Sequence, residues 1–377
     1  MRYYIITGEA SGELHGSLLM KGLLRCDADA QIRFWGGDKM EAVGGEKARD
    51  YRDTAVMGLV EVLSKAGSVR RNLAFCKADI LSWKPDVVIL IDYPGFNLKI
   101  ARFAHEHSIK VFYYIAPKVW ASREKRVEKL RRYVDRLFVI FPFEVEYFRS
   151  KGIEPVYEGN PLLDCVDSAL AAAPSRAEFF AACGLEDRPT VALLAGSRMQ
   201  EIKFLAPRMT AFARLLAGRG NAPQLALAAA PGIDKEVYER YFGGSGIRVV
   251  YDGTYPLLKY SDFAVVASGT ASLETALIGT PQVVCYGMNP ITYHIALKIM
   301  TVKYISLANL ILDKWIFKEL LQDDCTAENI AAEMDRLISD GPDRSAMLAD
   351  YAQLREALGS GGAADRFAAR MLRAATL

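Results

Sequence analysis

The sequence predicts an α/β protein with two doubly wound parallel sheets that face each other across a cleft, followed by C-terminal helices. Short, nearly apolar runs alternate with longer amphipathic stretches, which is the pattern of βαβ units. The same scheme occurs in both halves of the chain. A length of 377 residues also suits two domains better than one core.

Ten runs are predicted to be strands, five in each half. Several are almost continuously apolar, as expected for strands that helices cover on both faces. The first five are Tyr3–Thr7, Ile32–Trp35, Val87–Ile91, Val111–Ile115 and Leu137–Ile140. The second five are Thr190–Ala195, Gln224–Ala229, Arg248–Tyr251, Phe263–Ala267 and Gln282–Tyr286.

A domain boundary is predicted near residues 160–173, where Pro161 follows the last strand of the first half and an alanine-rich stretch precedes Pro174. We therefore expect a first domain over residues 1–165 and a second over residues 166–345. Residues 346–377 are predicted to be a helical tail, interrupted by glycines 359, 361 and 362, that packs back on the first domain.

The composition excludes several classes of function. The net charge is only +2, which argues against wholesale nucleic-acid binding. No signal peptide and no membrane-spanning run of apolar residues is visible, so a cytoplasmic protein is expected. The six cysteines are scattered without a C-x-x-C pair and the four histidines form no ligand pattern, so no metal and no cofactor is predicted.

Ligands of doubly wound sheets bind outside the carboxyl ends of the strands, so the loops there are the candidate sites. The first such loop is Gly8–Gly16, with Ser11, Gly12 and Glu13 at its centre. Its small residues would let a ligand approach the backbone and the following helix. A tight β-to-α turn explains the same residues equally well.

The second loop begins with Asp92, directly after the run Val87–Ile91 and before Pro94-Gly95. A carboxylate at the end of a buried strand is well placed to face the cleft. An Asx turn or a helix cap is the alternative for Asp92, and the same ambiguity holds for Asn97.

A third segment, residues 118–136, holds eight basic and three acidic residues, a net charge of +5. Arg126, Arg131 and Arg132 lie in it and are candidates to bind a phosphate group or an anionic membrane surface. The alternative is an ordinary solvated helix face.

Two strand-to-helix loops of the second half are candidate anion sites. Gly196-Ser197-Arg198 combines small residues with an arginine where a helix begins, which suits a diphosphate. In the other loop, Ser268, Gly269 and Thr270 offer hydroxyl and N–H groups, and Glu274 can accept hydrogen bonds from ribose hydroxyls. For Ser268 and Thr270 the alternative is a plain helix cap.

The run from Val56 to Leu63 is apolar with little charge. It is either part of a core or, through Val56, Met57, Leu59 and Val60, a surface that dips into a bilayer.

Taken in order, these motifs resemble the lipid-A-disaccharide synthase family. The resemblance runs from about residue 3 to residue 325. It is carried by Gly8–Glu13, Val56–Leu63, Ile91–Pro94, Val119-Trp120, Gly196–Arg198, Ser268–Ala271, Tyr304–Leu310 and Lys318–Gln322.

The resemblance implies a GT-B fold of two Rossmann-like lobes and an inverting glycosyltransferase of lipid A biosynthesis. Its reaction joins UDP-2,3-diacylglucosamine to 2,3-diacylglucosamine 1-phosphate, giving a β-1,6-linked disaccharide and UDP. It further implies a peripheral enzyme at the cytoplasmic face of the inner membrane, with homodimers known in the family. Asp92 matches the essential carboxylate, and Arg198, Glu274 and Asn309 match positions on the nucleotide side.

Four positions depart from the family pattern. Gly95 stands where an acidic residue can occur, and Asn160 stands where histidine is common. Glu13 replaces a more usual aspartate, and Ala195 replaces the proline often found before Gly-Ser-Arg. The departures leave Asp92 and Arg198 in place, while a role for the side chain at 160 is put in doubt.

Other functions stay open at this point. Another GT-B enzyme of UDP-sugars, such as an epimerase or a transferase to a soluble acceptor, shares much of the pattern. A non-catalytic UDP-sugar-binding protein at the membrane is a further alternative, although Asp92 and Arg198 together argue against it. Glu13 and His15 remain alternatives to Asp92 as the group that takes the proton.

Overall fold

A computed structural model describes residues 1–53, 66–121, 123–287 and 303–376, and the chain divides into two compact units. The first unit comprises Met1–Leu162 with Leu358–Leu377, and the second comprises Leu163–Ala357. Residues 346–357 thus belong to the second unit, whereas the sequence assigns them to the tail. The C-terminal segment of the first unit begins only at Leu358.

The first unit is built on a seven-stranded parallel sheet. Its strand order is β3-β2-β1-β4-β5-β6-β7, with Tyr3 of β1 paired to Ile32 of β2 on one side and to Val87 of β4 on the other. The strands are β1 (Arg2–Ile6), β2 (Gln31–Gly36), β3 (Glu46–Asp50), β4 (Val87–Ile91), β5 (Lys110–Tyr114), β6 (Arg136–Val139) and β7 (Pro155–Tyr157).

Helices connect these strands. They are α1 (Ala10–Cys26), α2 (Asp38–Glu41), α3 (Ala66–Trp83), α4 (Pro94–Glu106), α5 (Val127–Tyr133) and α6 (Pro142–Ser150), with short 3-10 turns at Tyr51–Asp53 and Glu124–Arg126. Helix α7 (Leu162–Ala171) starts at the division between the units.

The second unit has a six-stranded sheet in the order β10-β9-β8-β11-β12-β13, again with parallel pairs. Its strands are β8 (Thr190–Leu194), β9 (Gln224–Ala228), β10 (Arg248–Val250), β11 (Phe263–Ala267), β12 (Gln282–Tyr286) and β13 (Glu319–Leu321). Its helices are α8 (Arg176–Cys183), α9 (Met199–Ala217), α10 (Lys235–Phe242), α11 (Thr254–Tyr260), α12 (Thr270–Ile278), α13 (Leu307–Leu312), α14 (Ala327–Leu337) and α15 (Pro342–Ala357), with a 3-10 turn at Gln322–Asp324. The prediction of two doubly wound parallel sheets is therefore confirmed.

All ten predicted strands are present, and the three that were missed lie at sheet edges. Strand β3 reads Glu-Lys-Ala-Arg-Asp and has no fully buried residue, so it lacks the apolar run that marks a buried strand. Strands β7 and β13 have only three residues each. Edge strands are covered on fewer sides, so their sequences carry a weaker signal.

The last helix, α16 (Ala363–Thr376), packs on α1 of the first unit. Gly22 makes this contact close, because a Cβ atom there would come within 2.9 Å of the Cβ atom of Ala368. The ring of Phe367 also packs edge-on to Tyr114 of β5, with 5.2 Å between ring centroids. The end of the chain is thereby part of the core of the first unit.

Candidate active site

The four candidate loops that follow β1, β4, β8 and β11 lie at the switch points of the two sheets. In the first sheet the order reverses between β1 and β4, and in the second between β8 and β11. At such a point the connections on either side run to opposite faces of the sheet and leave a crevice in which ligands bind. Each unit therefore brings two of the predicted loops side by side.

The loop after β1 continues directly into helix α1. Glu9 is the N-cap residue, so Ser11, Gly12 and Glu13 form the first helical turn. The hydroxyl of Ser11 donates to the Glu9 carboxylate at 2.7 Å. Gly12 is buried and Ser11 is half-buried, so a backbone approach by a ligand is confined to the start of this helix.

Glu13 has a structural contact that the sequence did not reveal. Its side chain is 5% exposed, and its carboxylate accepts a hydrogen bond of 2.7 Å from the backbone N–H of Lys39 in the first turn of α2. A Cβ atom at Gly37 would come within 2.6 Å of the same carboxylate. Glu13 thus anchors α2 to α1, and any role in substrate binding would be additional.

Asp92 and Tyr93, which join β4 to α4, both have left-handed backbone conformations, with φ of 43° and 47°. Such conformations cost a non-glycine residue roughly 1–2 kcal/mol each, so they persist only when the surroundings enforce them. The carbonyl of Asp92 accepts hydrogen bonds from the Tyr113 hydroxyl at 2.6 Å and from Asn97 Nδ2 at 2.8 Å. Tyr93 stacks on Phe96, with 5.5 Å between ring centroids.

The basic segment is divided rather than continuous. Arg126 is half-buried and interacts electrostatically with Asp92 and Tyr113, both of which favour its charged form. Burial and the neighbouring Arg123 act the other way, and the pKa of Arg126 is lowered on balance. Arg126 therefore lies near Asp92.

The other two predicted cations are exposed residues of α5. Arg131 forms an ion pair with Glu128, and the guanidinium of Arg132 lies over the ring of Tyr133, 5.5 Å from its centroid. Both side chains thus make local contacts on the exposed surface of α5, and their binding to a phosphate group or an anionic membrane surface stays a prediction.

His15 is buried in α1, and its Nδ1 atom has no hydrogen-bond partner within the part of the chain that the structure describes. Burial lowers the pKa of His15 to about 4. The imidazole is therefore neutral and enclosed at neutral pH, which makes it a weaker candidate for a proton acceptor than the half-buried Asp92.

Glu144 is a buried carboxylate that the sequence did not single out. It lies in the first turn of α6, after β6, and accepts hydrogen bonds from Trp120 Nε1 at 3.1 Å and from the backbone N–H groups of Ile140 and Phe141 at 3.3 Å and 3.1 Å. Burial raises its pKa to about 7, although these hydrogen bonds act in the opposite direction. Its position at N3 of a helix was the available signal.

In the second unit, Glu201 fills the loop after β8. Its Oε2 atom accepts hydrogen bonds from the backbone N–H groups of Ser197 at 2.9 Å and Arg198 at 3.3 Å. Its Oε1 atom lies 3.7 Å from a guanidinium nitrogen of Arg198. The backbone N–H groups expected to hold a diphosphate are thus occupied by Glu201, while the side chain of Arg198 is exposed.

The loop after β11 leads into α12 through Gly269, whose φ is 153°. Gly269 itself is the N-cap residue and has no side chain to cap the helix, so neither Ser268 nor Thr270 occupies the N-cap position of α12. A helix start without such a cap favours an anionic ligand. Glu274, one turn further, accepts a hydrogen bond of 2.6 Å from the hydroxyl of Tyr255.

Asn309 is fully buried, and its amide is used inside the protein. Its Nδ2 atom donates to the carbonyl of Phe317 at 3.1 Å and to Glu319 at 2.9 Å. Its Oδ1 atom accepts from the backbone N–H groups of Ile316 at 2.9 Å and Phe317 at 3.4 Å. Two donors and two acceptors are all that an asparagine side chain offers. The amide of Asn309 thus has a structural role inside the protein, and substrate binding by Asn309 stays a prediction.

Residues 56, 57, 59 and 60 of the apolar run lie outside the described residues. In the described ranges no helix combines the length and the hydropathy needed to cross a bilayer. Nor does any group of three or more His, Cys, Asp or Glu side chains in those ranges have a metal-binding arrangement.

Comparison with known protein families identifies the family of this chain. The model of the lipid-A-disaccharide synthetase family matches residues 3–366. The chain belongs to the lipid-A-disaccharide synthase family.

Curated relatives support the assignment over nearly the whole length. A lipid-A-disaccharide synthase of Geobacter metallireducens is 40% identical over 374 residues, which cover 98% of this chain and 96% of the relative. A lipid-A-disaccharide synthase of Myxococcus xanthus is 38% identical, with 98% and 97% covered.

Solved structures show which fold this member of the lipid-A-disaccharide synthase family adopts. The UDP-GlcNAc 2-epimerase of Neisseria meningitidis superposes with a TM-score of 0.72 at 11% identity, covering 99% of this chain and all of the epimerase. A calicheamicin glycosyltransferase superposes with a TM-score of 0.60 at 15% identity, covering 99% and 97%. The GT-B type of fold is thereby confirmed.

Two segments through which the chain resembles lipid-A-disaccharide synthases are joined in the structure. Glu319 of β13 accepts hydrogen bonds of 2.9 Å from the backbone N–H groups of Ile305 and Ser306 and from Asn309. The family pattern in residues 304–310 and 318–322 therefore reflects a mutual structural contact.

Proposed function

We propose that this protein is the glycosyltransferase that joins UDP-2,3-diacylglucosamine to 2,3-diacylglucosamine 1-phosphate. The products are the β-1,6-linked disaccharide 1-phosphate and UDP. Membership of the lipid-A-disaccharide synthase family supports the reaction. The observation that carries the proposed mechanism is the carboxylate of Asp92, at the switch point of the first sheet on a constrained left-handed backbone.

Asp92 is the proposed general base. It takes the proton of the acceptor's 6-hydroxyl while that oxygen attacks the anomeric carbon of the donor. The bond from this carbon to the diphosphate oxygen breaks, its electron pair leaves with UDP, and the anomeric centre is inverted. A positioned base contributes about 10²–10⁴-fold to such a step. No second carboxylate is needed, because UDP is a good leaving group.

Arg198 and the start of α12 are the proposed groups that stabilise the leaving UDP. The exposed guanidinium offers a fixed positive charge, and the α12 terminus offers N–H groups and the positive end of a helix dipole. Ser268, Gly269 and Thr270 lie at this terminus, and Glu274, oriented by Tyr255, is proposed to contact the ribose. The start of α1, with Ser11 and Gly12, is the proposed acceptor side.

Arg126 is the proposed contact for the 1-phosphate of the acceptor. It is half-buried and interacts electrostatically with Asp92, so a phosphate bound there would bring the sugar near the base. The exposed Arg131 and Arg132 are proposed to meet anionic lipid headgroups instead. Residues 56, 57, 59 and 60 are the proposed contact for acyl chains, which would place the enzyme at the cytoplasmic face of the inner membrane.

The reaction is tested with purified protein and both lipid substrates, followed for UDP and for disaccharide. Wild-type protein should form both in equal amounts, and Asp92→Asn should reduce turnover by at least 10². Glu106→Gln is the matched control, because Glu106 is an exposed carboxylate of α4 paired with Arg102 at 2.7 Å. Absence of disaccharide with wild-type protein would refute the function. Full activity of Asp92→Asn would refute only the assignment of the base.

The membrane and oligomer proposals have their own tests. The double variant Arg131→Glu with Arg132→Glu should reduce co-sedimentation with vesicles that contain anionic lipid and leave co-sedimentation with neutral vesicles unchanged. Unchanged co-sedimentation with the anionic vesicles would refute the headgroup contact.

A homodimer, proposed from the family resemblance, should sediment with twice the chain mass of 41.7 kDa, and a single-chain mass at micromolar concentration would refute it.

A further inference from the structure

We infer that Tyr113 and Asn97 are positioning residues of the reaction, which together hold the backbone of Asp92 in the conformation from which its carboxylate acts. The inference rests on the proposed role of Asp92 as the base. It goes beyond that role because neither side chain contacts a substrate in this proposal. Both act on one atom, the carbonyl oxygen of Asp92.

Tyr113 approaches this oxygen from the neighbouring strand. It lies in β5, where it is paired with Leu90 of β4, and its side chain is fully buried. The hydroxyl donates to the Asp92 carbonyl at 2.6 Å. Because two paired strands of one sheet set this distance, the carbonyl of Asp92 is fixed relative to the sheet.

Asn97 approaches from the helix that follows. It is the fourth residue of α4 and is fully buried, and its Nδ2 atom donates to the carbonyls of Ile91 at 3.1 Å and Asp92 at 2.8 Å. The same side chain thus ties the last residue of β4 and the first residue after it to the helix. The amide acts here as a donor, since its Oδ1 atom has no hydrogen-bond partner among the described residues.

The two contacts explain why a strained backbone persists at this point. Asp92 and Tyr93 are both left-handed, and neither is a glycine. Only a surrounding that over-determines the backbone keeps two such residues in place. In the left-handed region the Cα–Cβ bond has a different direction from that in an extended strand. Loss of the hydrogen bonds from Tyr113 and Asn97 would therefore redirect the carboxylate of Asp92.

A positioning role differs measurably from a merely structural one. Loss of a structural hydrogen bond lowers thermal stability and leaves the turnover of the folded enzyme unchanged. Loss of a positioning contact lowers kcat at saturating substrate and leaves KM nearly unchanged, because ground-state binding does not depend on the base. It also shifts the acid limb of the kcat–pH profile, because the surroundings of the carboxylate change.

The test uses Tyr113→Phe and Asn97→Asp in the full-length enzyme. Tyr113→Phe removes one donor, and we expect kcat to fall about tenfold with KM within about twofold of wild type. Asn97→Asp turns a donor toward two carbonyl oxygens into an acceptor, and a loss of about 10²-fold is expected. Both variants should move the apparent pKa of the acid limb.

Tyr114→Phe is the matched control. Tyr114 is the next residue of the same strand, is equally buried, and points to the opposite face, where it packs on Phe367. It should keep wild-type kcat and the wild-type acid limb. Circular dichroism at the assay temperature identifies folded variants, and either variant of the pair is sufficient for the comparison.

The outcomes separate this inference from the proposed function. If Tyr113→Phe or Asn97→Asp folds and keeps kcat and the acid limb of wild type while Asp92→Asn is inactive, the positioning role is overturned and the proposed function stands. If wild-type protein makes no disaccharide, or Asp92→Asn is fully active, the proposed base fails and the inference fails with it. A selective loss of kcat in each variant that folds, with Tyr114→Phe normal, supports it.

Discussion

Gly8 lies so close to the ring of Tyr93 that a Cβ atom at residue 8 would come within 2.2 Å of the ring atom Cγ. The contact joins the loop after β1 to the loop after β4, the two neighbouring loops at the switch point of the first sheet. Any side chain at position 8 would displace Tyr93 and, with it, the residue that precedes it, Asp92. The glycine is therefore required by space rather than by its own backbone angles.

We expect Gly8→Ala to lower kcat/KM for disaccharide formation at least tenfold. The added methyl group has no room, and overpacking of this kind costs about 1–3 kcal/mol. Thermal unfolding and steady-state kinetics measure the two effects. Gly95→Ala is the control, because a Cβ atom there meets nothing within 4 Å in the described structure. Wild-type kinetics in Gly8→Ala would show that the contact does not position the loop.

Glu201→Ala should weaken donor binding as well as stability. The carboxylate holds the backbone N–H groups of Ser197 and Arg198, so its loss leaves the loop to be ordered by the donor itself. We expect the donor KM to rise about three- to tenfold, which corresponds to about 0.5–1.5 kcal/mol of ordering cost. Glu178→Ala removes a similar capping carboxylate from α8 and should leave KM unchanged. A lower donor KM in Glu201→Ala would mean that the carboxylate competes with UDP.

Asn309→Ala should destabilise the protein without changing the affinity for UDP. The substitution leaves buried backbone groups of residues 316 and 317 and the carboxylate of Glu319 without their partner, so a loss of about 2–4 kcal/mol is expected. Urea denaturation measures the stability and calorimetry measures UDP binding. Asn329→Ala, on the surface of α14, should cost less than 1 kcal/mol. Weakened UDP binding at unchanged stability would instead support a substrate-binding role of Asn309.

The fluorescence of Trp120 should titrate with a midpoint near the pKa of Glu144, which burial raises from 4.5 to about 7. Above this pH the ionised carboxylate accepts the indole N–H, and below it the acceptor is weakened. The pKa is higher in the folded state, so the stability that Glu144 contributes is fully present below pH 4.5 and is lost as the pH rises to about 7.

Emission spectra between pH 5 and 9 check this expectation. Glu144→Gln and Trp120→Phe should each abolish the titration, and Trp315→Phe, which removes a side chain that is 55% exposed, should retain it. A titration that persists in Glu144→Gln would assign it to a group other than Glu144.

The sequence identifies what depends on local composition. Apolar runs such as Val87–Ile91 mark the central strands, and the position of Asp92 after one of them is visible without a structure. The left-handed backbone of Asp92 is not predictable in this way, because it is imposed by Tyr113 and Asn97 rather than by a glycine. Strand β3 was missed because an exposed edge tolerates charged residues.

The side-chain contacts that the sequence does not reveal join separate segments of the chain. Asn309 resembles a ligand-binding residue in sequence, but its partner Glu319 lies ten positions further on and becomes visible only when β13 forms. Glu201 and Glu144 each stand three residues after the N-cap residue of a helix, so capping geometry was an available signal for both. That Glu201 would occupy the proposed anion loop depends on how the loop folds.

The packing of α16 on α1 has a consequence for synthesis of the protein. The second unit is inserted in sequence between the two segments of the first unit, and the second of these segments begins at Leu358. When the ribosome has synthesised residues 1–162, the surface of α1 around Gly22 still lacks the helix α16 that packs on it. The inserted unit, continuous from residue 163 to residue 357, is free of this delay. The unit that is translated first is therefore the one that completes its folding last.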